Sequence, residues 1–238
     1  MKSMMKESHE LRWGGIAGIA AIVVGLIGRL VMGNAPSVAE SATSVAGYLF
    51  EYRTQVLAAS VLYAIATMLF LWFGVALSTA FRRADDASDT PTLVLAGYVL
   101  VSTVMFLGVS LFAGLTYAIT THRGALLALA AGPYTALTVM SMISGIALAA
   151  TFAVTAAAIM RTHVLPMWMA WFAIVVAAIK LLTALGVGST ARALAPDAPL
   201  MSLVPTILVA IWVLVASYML IREHLPVRAA GTRPVMGH

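Results

Sequence analysis

The 238-residue sequence contains no cysteine. That absence excludes disulfides, thiolate metal sites and cysteine nucleophiles, and it leaves the cellular compartment open. Charge is scarce too: Asp, Glu, Lys and Arg make up 10% of the residues, where about a quarter is usual in soluble domains. The five histidines (His9, His122, His163, His224 and His238) all fall outside the long apolar runs, so bis-histidine haem ligation within those runs is not available. No internal repeat stands out and no soluble domain is evident.

Apolar side chains are what the sequence has in excess. They account for 62% of the residues, against roughly 45–50% in soluble domains, and the mean hydropathy is +0.99. A soluble fold of this size cannot cover so much apolar surface, so the composition predicts a polytopic membrane protein. The formal net charge of +5 sits in short loops and tails. Cations placed there suit anionic lipid headgroups, so membrane lipids are the expected partners and nucleic acid is not.

A helix needs roughly 20 apolar residues to cross about 30 Å of hydrocarbon. Six segments qualify, at about 13–33, 56–81, 93–119, 134–160, 166–186 and 200–221. The prediction is therefore all-α: a six-helix transmembrane bundle over 13–222, a short N-terminal segment 1–12 and a disordered tail 223–238. The first segment lacks a short apolar stretch followed by a small-residue cleavage site, so it reads as a retained span. Asp89, Thr90 and Pro91 read as a capping residue followed by proline in a first helical turn. Pro133 and Pro166 mark the starts of two further spans, and Pro205 lies where it removes one helical hydrogen bond.

With both termini in the cytoplasm, nine of the 14 Lys and Arg residues lie inside, three (Arg53, Arg123 and Arg192) lie outside, and two are within spans. That asymmetry favours this orientation and a cytoplasmic membrane. The first outer connection, 34–55, holds Tyr48, Phe50 and Tyr52 beside Glu51 and Arg53. It reads as an interfacial helix leading into span two.

Lipid tails are as apolar as leucine, so spans associate through close backbone packing at small residues. Span four offers Ser141, Gly145, Ala149, Ala153 and Ala157 at four-residue spacing, and span one offers Gly14, Gly18, Ala21 and Gly25. Span four is expected at the centre of the packing. Gly/Ala-rich faces are also where a homo-oligomer or a protein partner is expected to dock.

Arg29 and Lys180 interrupt spans one and five. A central intramembrane cation costs roughly 2.5–3.5 kcal/mol on insertion scales. Counting from the span starts, both cations fall within roughly 10 Å of the outer boundary. Arg29 continues the glycine stripe, and Lys180 shares a face with Ala173, Ala177, Thr183 and Ala184. Both are therefore expected to point into the bundle. The alternatives are snorkelling to the headgroups or pairing with Glu51.

Two further patterns carry chemistry. Asp85, Asp86 and Asp89 spell DDxxD, which resembles the Mg²⁺-diphosphate motif of membrane prenyltransferases. A second acidic cluster, which those enzymes need, is missing, and a solvated turn balancing Arg82 and Arg83 is the plainer reading. The paired methionines at 140 and 142 and at 167 and 169 read as flexible core filler rather than Cu(I) ligands.

The first outer loop ends in Leu49-Phe50-Glu51-Tyr52-Arg53, span two exits on Arg82-Arg83, and span five starts with Leu165-Pro166-Met167-Trp168. In these features and in its layout the chain resembles bacterial six-helix integral membrane proteins of the domain-of-unknown-function type. The resemblance covers about 13–222 and implies the same architecture in a bacterial inner membrane. It brings no catalytic residue and no cofactor.

The expected function is non-enzymatic. The protein would bind a lipid, amphiphile or small anion in an outward-facing pocket lined by Arg29, Lys180, Glu51 and Arg53, or serve as the membrane subunit of a larger complex. A small secondary transporter is the first alternative, with Pro205, Gly108 and Gly114 as its only hints. A Mg²⁺-dependent diphosphate enzyme on Asp85, Asp86 and Asp89 is the second.

Overall fold

The computed structural model describes residues 2–38, 40–121, 130–186 and 199–222. Among them are seven helices and no strand: α1 (Lys2–Met32), α2 (Ala42–Glu51), α3 (Arg53–Ala84), α4 (Thr90–Thr121), α5 (Ala131–Thr162), α6 (Met167–Leu185) and α7 (Pro199–Arg222). All but α2 are long and apolar enough to cross a membrane. The predicted spans are met, and α3, α4 and α5 each run two or three residues past both predicted ends. A helix does not stop where hydrocarbon stops; its charged and polar end turns continue into the headgroups. The tail predicted to be disordered lies outside the described residues.

The six long helices form a ring in chain order, and α1 closes it by packing against α7. Within the ring α6 touches α7 least. The start of α1 and the end of α7 lie at the same end of the bundle, since Gly15 packs on the Ser217 carbonyl and Ile221. We call this the terminal end. The opposite, far end carries α2.

Glycines explain how closely the helices approach. A Cβ on Gly14 would lie 1.9 Å from Ala76 Cβ, and one on Gly18 would lie 2.1 Å from Ser217 Oγ and 2.7 Å from the Phe73 ring. Gly25 faces Ala66, and Gly28 faces Leu62 and Tyr63. The span-one glycines thus pack against α3 and α7 of the same chain. Span four is the most buried of the six, with 56% of its apolar window inside, as expected of a central packing helix. Its predicted ridge is not one face, however. Gly145 and Ala149 are buried, but Ser141, Ala153 and Ala157 are exposed. Strict four-residue spacing advances about 40° per step beyond a full turn, so such a row winds off the contact.

Trp212 of α7 fills the middle of the ring. It is fully buried, meets Phe152 of α5 edge-on at 5.0 Å and Phe73 of α3 at 6.5 Å, and donates its indole N–H to the Met169 carbonyl of α6 at 3.1 Å. One side chain thereby ties α7 to three other helices. Tyr98 of α4 extends the cluster, 5.1 Å from Phe70 and 5.9 Å from Phe73. Several polar side chains within the spans bond back to their own helix: Ser60, Thr103, Ser110, Thr151, Thr155 and Thr183 each donate to the carbonyl four residues earlier.

The outer surface is apolar, with Trp13, Trp72, Trp168 and Tyr218 exposed toward the terminal end and Phe50, Tyr52 and Tyr117 toward the far end. Two aromatic belts of this kind mark the two interfaces of a bilayer.

Candidate functional site

At the far end, α2 lies across the bundle with Val45, Ala46 and Leu49 buried against Val56, Ile119, Ala130 and Tyr134. Ser41 caps it by accepting from the Ser44 N–H at 3.2 Å. Two tyrosines tether the strap that precedes it. Tyr48 donates to the Met32 carbonyl at 2.8 Å, and Tyr134 donates to the Pro36 carbonyl at 2.7 Å. The Glu40 carboxylate accepts from the Ser37 N–H at 3.0 Å and from the Ser44 hydroxyl, and these bonds hold its pKa below the ordinary carboxylate range.

Burial raises the Tyr48 hydroxyl above the usual tyrosine pKa, with the nearby Arg29 guanidinium opposing it. A folded pKa raised in this way means that the Tyr48 bond is intact below about pH 10 and is lost as pH climbs through the folded value. Each of Tyr48→Phe and Tyr134→Phe is expected to loosen the strap by about 1 kcal/mol. The readout is faster amide exchange in the 33–41 strap and the first turn of α2, and Tyr48→Phe should also abolish the alkaline acceleration.

The four residues expected to share a pocket have separate surroundings. Arg29 is exposed and donates to the Gly33 carbonyl. The expectation that it points inward is corrected: the packed stripe runs through Gly14, Gly18, Ala21, Gly25 and then Gly28, alternating steps of four and three, and Arg29 falls one residue off it. Glu51 is exposed at the end of α2. Arg53 is exposed and lies over the Tyr117 ring at 5.4 Å. No hydrogen bond or ion pair among the described residues joins any two of the four, so pairing of Arg29 with Glu51 is not seen.

Lys180 does lie where the sequence puts it. The buried residues of α6 are Met169, Ala170, Ala173, Val176, Ala177, Thr183 and Ala184, and Lys180 continues that stripe, itself half-buried. No hydrogen bond or ion pair reaches its ammonium among the described residues. The Lys180 carbonyl lies 3.2 Å from the Cβ position of Gly145, halfway along the 32-residue α5.

At the terminal end, the DDxxD turn forms part of an open cavity of about 630 Å³ with Ser88, Thr90, Leu93 and Arg161. Arg161 donates to Ser88 Oγ at 3.2 Å and to Thr90 Oγ1 at 3.0 Å, joining the end of α5 to the start of α4. Ser88 accepts from the Thr90 N–H, so the neighbour of Asp89 supplies the capping hydroxyl. Asp85, Asp86 and Asp89 do not converge: no group of three acidic or histidine side chains among the described residues is placed to hold a metal ion.

The Tyr48 and Tyr134 tethers, the Arg161 clasp and the Trp212 contact were not singled out from sequence. Their signal was a Tyr or Trp in an apolar run, since a buried ring with a polar handle needs an acceptor. Compared with protein-family models, with curated proteins and with solved structures, the chain matches none of them.

Proposed function

We propose that this multi-pass membrane protein lies in a bacterial cytoplasmic membrane with both termini inside and binds an anionic amphiphile at Lys180. The observation that carries the reading is the placement of that ammonium. It sits on the packed stripe of α6, level with Gly145 in the middle of α5, without a hydrogen bond or ion pair among the described residues. A lone cation in hydrocarbon carries a desolvation cost, and a carboxylate or phosphodiester reaching it from the bilayer offsets it while its tail stays among the exposed Leu181 and Leu182. Nine-to-three cation asymmetry supports the orientation, with Arg29 and Arg53 near the outer interface, where they attract anions rather than hold them.

Native mass spectrometry of the gently extracted protein tests this, with oleate and phosphatidylglycerol added back as probes. The wild type should carry an anionic amphiphile that Lys180→Met lacks, and Lys180→Arg should retain part of it. Without ligand, Lys180→Met should be more stable by about 2–3 kcal/mol, since the isolated charge is gone. Equal occupancy in wild type and Lys180→Met would sink the proposal.

A further inference from the structure

The open cavity at the terminal end is lined by charges of both signs that do not pair with each other. Its volume of about 630 Å³ falls within the ~300–1,000 Å³ usual for small-ligand sites. Three elements build it. The turn between α3 and α4 contributes Asp85 and Asp89, the last turn of α5 contributes Arg161, and the first turn of α4 contributes Leu93. Among the described residues no ion pair joins Arg161 to either carboxylate.

Arg161 is held in place but only partly used. Its Nη1 donates to Ser88 Oγ at 3.2 Å and to Thr90 Oγ1 at 3.0 Å, and these neutral hydroxyls leave its charge uncompensated. A guanidinium carries five N–H donors. The three on Nε and Nη2 are therefore free for a planar, two-point contact with a phosphate or carboxylate. Arg82, at the end of α3, is engaged outside the cavity, where it donates to Thr92 Oγ1 at 3.3 Å.

This lining excludes simpler ligands. A metal ion finds no converging set of three acidic or histidine side chains among the described residues, and it meets the Arg161 charge as well. A simple anion meets two carboxylates, and like charges brought together repel. A molecule that carries an anionic and a cationic group on a short chain satisfies both signs at once. The surroundings indicate its source. The cavity opens at the end of the bundle that carries exposed Trp13, Trp72, Trp168 and Tyr218, and its wall includes Leu93, 56% exposed. Leu100, also exposed, lies two turns further along the same side of α4.

We infer that this cavity holds the phosphoethanolamine headgroup of a bilayer lipid. The phosphodiester takes the free edge of Arg161, the ammonium donates to Asp85 and Asp89, and the acyl chains run past Leu93 and Leu100 into the hydrocarbon. A choline headgroup has no N–H to offer the carboxylates, and a glycerol headgroup has no cation. Lys180 lies apart from this cavity, on the contact between α6 and α5, so occupancy here is independent of ligand binding there.

Native mass spectrometry on the Lys180→Met background separates the two sites. Mixed micelles offer phosphatidylethanolamine, phosphatidylcholine and phosphatidylglycerol with identical acyl chains in equal amounts. One phosphatidylethanolamine should be retained roughly tenfold over either competitor, the ratio that one charge-assisted hydrogen bond sustains. Arg161→Gln should abolish that retention, while Arg53→Gln, which removes an exposed cation at the far end, should leave it intact. Because Arg161 also ties α5 to α4, the combined Asp85→Asn and Asp89→Asn variant provides a test that keeps the clasp. It should lose the preference for phosphatidylethanolamine and retain phosphatidylglycerol instead. Soluble glycerophosphoethanolamine should not displace the lipid. Equal retention of the three lipids, an unchanged preference in Arg161→Gln or in the double aspartate variant, or displacement by the soluble headgroup would each overturn the proposal.

Discussion

Trp212→Ala is expected to destabilise the folded bundle by about 3–5 kcal/mol, measured as the SDS fraction or temperature at which purified protein loses tertiary structure while its helicity persists. The side chain is fully buried and touches aromatic rings on α3 and α5. Truncation removes that packing and leaves a cavity in the ring centre. It also removes the donor to the Met169 carbonyl, although that carbonyl keeps its helical partner. Trp212→Phe should recover most of the packing and fall short by about 1 kcal/mol, the worth of one hydrogen bond. If Trp212→Ala unfolds with the wild type, the ring is not held from its centre.

Gly14→Leu is expected to cost about 3 kcal/mol or more, at the upper end of overpacking effects. The new Cβ would lie 1.9 Å from Ala76 Cβ. Alanine has no rotamer to turn away, so α1 and α3 must part along their whole contact. The matched control is Gly47→Ala on the exposed face of α2, where nothing lies within 4 Å. There the same kind of change should stabilise by about 0.5–1 kcal/mol, since alanine favours a helix interior over glycine. Two glycines with opposite responses would show that helix contact, not glycine itself, sets the requirement.

The legible part of the fold was whatever depends on hydrocarbon thickness. Long apolar runs and proline starts located six spans, and the aromatic stretch before span two located α2. Neighbour relations were harder, because a row such as Ser141 to Ala157 looks like one face in sequence and winds around α5 in space. Arg29 and Gly28 make the same point at single-residue scale: adjacent in sequence, one is exposed and the other is buried against Tyr63. Lys180 was read correctly for its face, because face follows from helical period and the buried residues of α6 keep that period. The two tethers on the α2 strap join residues 16 and 98 positions apart, and no local pattern encodes such pairs.

Ring order has a consequence for biosynthesis. Each of spans two to five packs on the one inserted before it, so the growing chain can assemble stepwise as it leaves the translocon. The wall stays incomplete until α7 arrives, and only then does Trp212 reach Phe73 and Phe152 while Ser217 covers Gly18. Until that moment the Gly15 side of α1 is open to lipid. A nascent chain stalled before α7 therefore exposes the surface that a membrane quality-control protease or an insertase with a hydrophilic groove can grip, and release from either coincides with delivery of the tryptophan.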